Sequence, residues 1–230
     1  MTESSTSDRY ELAIVELLGA LAYGQMRSFE ATARLIALAP DARTADVMAQ
    51  AAVNEHHAYA QLRDYLAKRT ELPSAVMDRQ KRHFDAFFDQ APLGDWIEAS
   101  LFFALGLPIA ADFAKEIAPT LDAETAEVVT TALAGRGHFQ QMARERLKAE
   151  LADEGIHERA RHLSADLLGR ALTSYQGAVA DTDALAVLLA KDTGPTESAE
   201  GRVKRLAIGV LSGHRRRVVD LGLEDLEDVT

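Results

Sequence analysis

Cysteine is absent from the 230-residue chain. This excludes disulfides, thiolate zinc sites and thiol nucleophiles together, and leaves His, Asp and Glu as the plausible metal ligands. Proline is scarce at 6 residues, and the 14 glycines are sparse within the periodic segments, so long helices run with few interior breakers. β-branched alternation, the usual sign of strands, is nowhere sustained. No apolar run reaches the ~18 residues of a membrane span, and the polar opening Met1-Thr2-Glu3-Ser4-Ser5-Thr6-Ser7-Asp8 lacks the layout of a signal peptide. The expectation is a cytoplasmic protein without a membrane partner. Positive charge is also in deficit, with 25 Lys and Arg against 36 Asp and Glu, a formal net charge of −11. Such a balance opposes general attraction to a phosphate backbone, so a nucleic-acid contact needs a local basic patch. Gly-rich phosphate loops and Ser/His/Asp patterns are missing too.

What is present is helix-forming. Ala and Leu dominate, hydrophobic residues make up 47% of the chain, and the apolar positions recur with a helical period, so the fold is read as all-α with one core. A first helix spans about 8–39 on the stripe Ile14, Leu18, Leu21, Phe29, Ala33 and Ile36. Pro40 stops it, and Asp41 or Thr44 caps a second helix reaching Lys68. The short connection makes these two antiparallel. Residues 70–92 hold a short helix crossing the bundle end, and a connection this long lets the third helix, 95–118, run parallel to the second. Pro108 lies inside that third helix and predicts a kink from Leu105 to Pro108. Asp122 caps a fourth helix reaching Leu151. Helices at about 156–179, 181–190 and 200–221 follow. The domain reading is a disordered tail over 1–8, a four-helix bundle over 9–152, accessory C-terminal helices packed outside it over 153–223, and an acidic tail over 224–230.

Within the second helix, Asn54 and His57 stand three residues apart, the spacing of a Glu-x-x-His ligand pair with an amide in place of the carboxylate. His138 lies 81 residues further on, in register with His57, and there Gly135 takes the place of Asn54. The same offset carries Gln25 onto Gly106. A mid-bundle layer of Tyr23, Gln25, Asn54, His57, Leu107 and His138 is therefore expected. His57 and His138 are the metal ligands, if any metal binds.

The fragments Leu17-Leu18-Gly19-Ala20-Leu21-Ala22-Tyr23-Gly24, Asp95-Trp96-Ile97-Glu98-Ala99, Ile109-Ala110-Ala111-Asp112-Phe113 and Gly137-His138 resemble an actinobacterial ferritin-like family related to the tRNA hydroxylase that acts on hypermodified adenosine, the MiaE-like group. The resemblance covers nearly the whole chain. It implies a ferritin-like four-helix bundle with additional C-terminal helices, and relatives that activate oxygen at a carboxylate-bridged di-iron centre. Carried over by position, that centre wants acids at Gln25, Asn54, near Leu107 and at Gly135, with His57 and His138 beside them. The chain keeps both histidines and none of the four acids.

Bridging carboxylates hold paired iron ions and offset their charge, which amides cannot do. The expected state is a degenerate, metal-free site in a binding or interaction protein. The alternative is an active di-iron hydroxylase of a modified tRNA nucleoside, with iron as its cofactor. A third reading places a small apolar ligand in a void near Gly106 and Gly135. Glu55 is rotated ~100° from Asn54 and is set aside as a ligand. Glu16, Glu98, Asp112 and Glu145 are assigned to salt bridges or solvated faces. His56 is read as exposed, and His83, His157, His162 and His214 as surface or packing residues. The last helix carries Arg202, Lys204, Arg205, His214, Arg215, Arg216 and Arg217, a candidate surface for RNA or protein. A homodimer is the other partner expectation.

Overall fold

The computed structural model describes residues 3–89, 91, 93–134, 137–181, 183–191 and 199–224, with the side chains of all of these except 3–5, 137–139, 172, 175–181, 191, 199 and 200. Among the described residues there is helix and no strand. The elements are α1 (Glu3–Leu35), α2 (Ala42–Arg69), α3 (Pro73–Asp89), α4 (Trp96–Leu101), α5 (Pro108–Ile117), α6 (Ala123–Ala134), α7 (Gly137–Glu150), α8 (Glu154–Asp181), α9 (Ala184–Lys191) and α10 (Ala199–Leu221). Helix α1 begins at Glu3, so most of the segment expected to be a disordered tail is helical.

Local sequence fixes the helix starts. Asp41 caps α2 by accepting the Thr44 amide at 2.8 Å, and Asp95 caps α4 by accepting that of Glu98 at 3.0 Å. Asp122 does the same for α6 through Thr125 at 3.0 Å. The kink expected before Pro108 takes the form of a π-helical segment, Phe102–Gly106, in which the Leu107 amide donates to the Phe102 carbonyl five residues back at 2.9 Å. Pro108 has no N–H for the ordinary α-helical bond, and widening the preceding turn absorbs the mismatch. The helix expected over 122–151 is instead α6 and α7, with Gly135 and Arg136 outside the described residues.

Two clusters of buried apolar side chains show how the chain runs. One gathers Ile14 and Leu18 of α1, Leu62 and Leu66 of α2, Ala114 and Ile117 of α5, and Val129 and Leu133 of α6. The other gathers Ala31 and Leu35 of α1, Met48 and Ala51 of α2, Leu101 to Leu105 before α5, and Ala143 and Leu147 of α7. Helix α1 thus runs from the first cluster to the second, α2 returns, α4 to α5 runs parallel to α2, and α6 to α7 comes back. That is two antiparallel hairpins joined by one crossover.

The crossover, α3, is not short and does not cross the end of the bundle. Its 17 residues lie along α1 in the same direction. Glu16 bonds Gln80 at 2.8 Å near one end, and Tyr23 bonds Asp85 at 2.6 Å further along. Gly24 permits this approach, since a Cβ there would stand 2.7 Å from the Phe84 ring. The segment Trp96–Thr120 has the length and hydropathy of a membrane span, contrary to the sequence reading, but 61% of its apolar window is buried as core.

Candidate functional site: a cavity beside the middle layer

Between the two apolar clusters lies a layer of different character. On α1 it holds Gln25 and Ser28, buried at 2% and 1% exposure, and on α2 it holds Glu55 at 4%. Opposite these, Gly106 ends the π-helical segment and Leu107 follows it, both buried.

Gln25, Ser28, Gly106 and Leu107 of this layer border a cavity of about 230 Å³, whose lining includes no residue of α2. Helix α1 supplies Leu17, Leu21 and Gln25, α3 supplies Phe84 and Phe87, and the far wall is Gly106, Leu107, Ile109, Ala110 and Phe113. Leu185 and Leu188 of α9 and Ala207 and Val210 of α10 close it. The C-terminal helices, expected only to pack outside, therefore complete its walls. The Ser28 Oγ faces the void without a hydrogen-bond partner among the described residues.

The expected site residues divide. Gln25 and Leu107 line the cavity. Tyr23 is buried beside it, donating to Asp85, while Arg27 approaches the same carboxylate at 3.2 Å. Burial, and next the hydrogen bond to Asp85, raise the Tyr23 phenol above its ordinary pKa. Asn54 and His57 are corrected: both are exposed, and Asn54 accepts a bond from Gln50 at 3.3 Å. The buried line of α2 is Met48, Ala51, Ala52, Glu55, Ala58, Leu62 and Leu66. Its helical phase passes through Glu55 and leaves the arc of Asn54 and His57 facing solvent. His138 begins α7, and its side chain lies outside the described residues.

The sequence reading also missed Ser28, Gln80 and His83, which are buried along the cavity. The spacing Val76, Met77, Gln80, His83, Phe84, Phe87 is an amphipathic pattern that would have revealed an α3 face packed along the bundle. Glu16 is held by Arg79 at 2.5 Å, Glu98 by Arg159, and Asp112 by Arg217 at 2.6 Å, the structural roles expected for these acids. His56 is exposed, as expected, with its ring 5.4 Å from that of Phe29.

His214 departs from its place on a polar face. At 3% exposure it packs beside the π-helical segment and hydrogen-bonds the Leu105 carbonyl. Its Nδ1 has no hydrogen-bond partner among the described residues. Burial, then the nearby Arg217 charge, push its pKa down to about 4. The ring is neutral at pH 7.

A di-iron centre would need several acids and histidines converging on this layer. Among the described residues no group of three or more His, Asp and Glu side chains could share a metal ion. Glu55 is the acid that α2 turns inward, and Gln25, Ser28, Gly106 and Leu107 supply no anionic oxygen. The described residues do not fit the metal centre that the resemblance implies.

Two hairpins with a single long crossover and a distinct middle layer define the ferritin-like class of helical bundle. The chain belongs to the family described as "Ferritin-like domain, actinomycetes", whose model matches residues 8–192. Helix α10, which closes one side of the cavity, lies beyond the matched residues. Among curated proteins no match to the chain is found.

Proposed function

We propose that this protein binds a small apolar molecule in the cavity beside the middle layer, and that the layer itself, where metal-dependent ferritin-like bundles keep their iron, is a degenerate, metal-free site. The cavity carries this reading. Its walls are mostly apolar, and apolar cavities accept apolar guests because water finds few hydrogen-bond partners in them. Scaling from benzene in a cavity of about 150 Å³, this one takes about nine carbon atoms.

The other reading is an oxygen-dependent di-iron hydroxylase of a modified tRNA nucleoside, in the manner of the MiaE-like group. The donor set of the described residues opposes it, because Asn54 and His57 face solvent. An RNA or protein partner at the last helix would use the exposed Lys204, Arg205, Arg215 and Arg216, since Arg217 is tied to Asp112 and His214 is buried.

Calorimetric titration with decanol tests the proposal. Saturable one-site binding is expected, and it should be lost in Ala110→Phe, which fills the void. No binding by the wild-type chain refutes the reading. Stoichiometric iron in protein from iron-supplemented culture would restore the hydroxylase reading.

A further inference from the structure

One hydroxyl on the cavity wall is at odds with its surroundings. Ser28 of α1 is 1% exposed and lines the void, and its Oγ has no hydrogen-bond partner among the described residues. A serine within a helix has an acceptor at hand in the carbonyl four residues back, here that of Gly24. Thr32, one turn further on, makes the equivalent bond, its Oγ1 donating to the Ser28 carbonyl at 2.8 Å. Ser28 leaves its own unmade. A buried O–H without a partner is unfavourable, and a guest that supplies one removes the penalty.

The position of Ser28 sets where on the guest that partner stands. The part of α1 that lines the cavity comprises Glu16, Leu17, Ala20, Leu21, Gly24, Gln25 and Ser28, a stretch of about 18 Å along the helix with Ser28 at its far end. The lining suits a neutral guest. Among the described residues it contains no lysine or arginine to receive an anion, and its one carboxylate, that of Glu16, is already bonded by Gln80 at 2.8 Å and by Arg79. A charged group would be buried there without a counter-charge of its own.

Resting on the apolar-ligand reading, we propose that the ligand is a neutral straight-chain molecule of about nine carbons with a single oxygen at one end, as a hydroxyl or a carbonyl, hydrogen-bonded to the Ser28 Oγ. The hydrocarbon runs from Ser28 along α1 toward Leu17. Moving the oxygen to the middle of the chain would take it away from Ser28, because the cavity ends there and half the chain would have no room beyond it.

Calorimetric titration with positional isomers tests this. Nonyl alcohol and dibutyl carbinol have the same composition and differ in whether the hydroxyl is terminal or central; methyl heptyl ketone and dibutyl ketone make the corresponding carbonyl pair. Wild-type protein is expected to bind the end-oxygen isomer of at least one pair about fivefold more tightly than the central one, and the pair that shows the gap names the oxygen function. In Ser28→Ala the gap should close through weaker binding of the end-oxygen isomer, with the central isomer unchanged. The variant should melt at or above the wild-type temperature, since it removes a buried hydroxyl that has no partner. Equal affinities within both pairs, a gap that survives Ser28→Ala, or a lower melting temperature in the variant overturns the end-oxygen ligand and leaves the cavity reading standing. Failure of all four molecules to bind overturns it too, and if decanol also fails the cavity reading falls with it.

Discussion

The imidazole of His214 on α10 hydrogen-bonds the main-chain carbonyl of Leu105, within the π-helical segment that precedes Pro108. A turn widened by proline carries backbone carbonyls that lack helical partners, and a buried ring donor can satisfy one of them. The C-terminal helix is thereby tied to the wall of the cavity by a neutral histidine.

That tie predicts a pH dependence. The folded-state pKa of about 4 lies below the ordinary histidine value near 6.5, so the unfolded chain binds the extra proton between these pH values. Stability should be full above pH 6.5, fall as pH drops toward 4, and lose nothing further to this group below that. The gap corresponds to roughly 3 kcal/mol. Melting curves at pH 7, 5.5 and 4 measure it, and His214→Gln should remove this part of the acid loss. An unchanged pH profile in the variant contradicts the assignment.

A second prediction concerns the packing of α10 on α5. A Cβ at Gly213 would collide with the Asp112 carboxylate, which pairs with Arg217 at 2.6 Å in a half-buried setting. Gly213→Ala should displace that carboxylate and leave Arg217 unpaired, at a loss of about 1–3 kcal/mol by urea denaturation. In an Asp112→Ala background the same substitution should be nearly neutral. Equal losses in both backgrounds would place the clash elsewhere.

The course of the bundle was legible in the sequence because apolar period and breakers agree there: Pro40, Asp41, Asp122 and the long crossover give the two hairpins directly. The facing of the site was not. On α2 the positions at 54 and 57 and those at 55 and 58 differ by one step of about 100°. The contest is settled by Met48, Leu62 and Leu66 along the whole helix rather than by the ligand-like spacing within it. His214 was hidden for a related reason. It stands in a basic run, and its burial depends on a π-helical segment about a hundred positions earlier in the chain, which periodicity cannot anticipate. The cavity could be placed near Gly106, but its walls come from α3, α9 and α10, whose packing is a tertiary matter.

The buried network at Tyr23 gives a third test. Its hydroxyl donates to Asp85 at 2.6 Å and Arg27 approaches the same oxygen at 3.2 Å, so Tyr23→Phe removes one of two partners of a charged acceptor. A loss of about 1–2 kcal/mol is expected. Asp85→Ala should cost more, and the two together should cost less than their sum, because they share one bond. Of the five tyrosines, Tyr23 should ionise above the ordinary phenol range in an ultraviolet titration, a late step that Asp85→Ala moves down.

Restoring an acid at the middle layer separates a retained metal site from a cavity. Gln25 is 2% exposed and lines the apolar void, so Gln25→Glu brings a carboxylate into surroundings with little to solvate it. Burial raises the pKa of such a group, and the folded state should lose roughly 2–4 kcal/mol at pH 7, recovering as the pH falls and the acid becomes neutral. Ferrous iron should not recover that loss under anaerobic conditions, because Asn54 and His57 point away and the described residues offer Glu55 as the inward acid. Melting temperatures with and without iron decide the matter. A rise of several degrees with metal bound one or two to a chain would mean that the layer still gathers ligands, with His138 the first to examine.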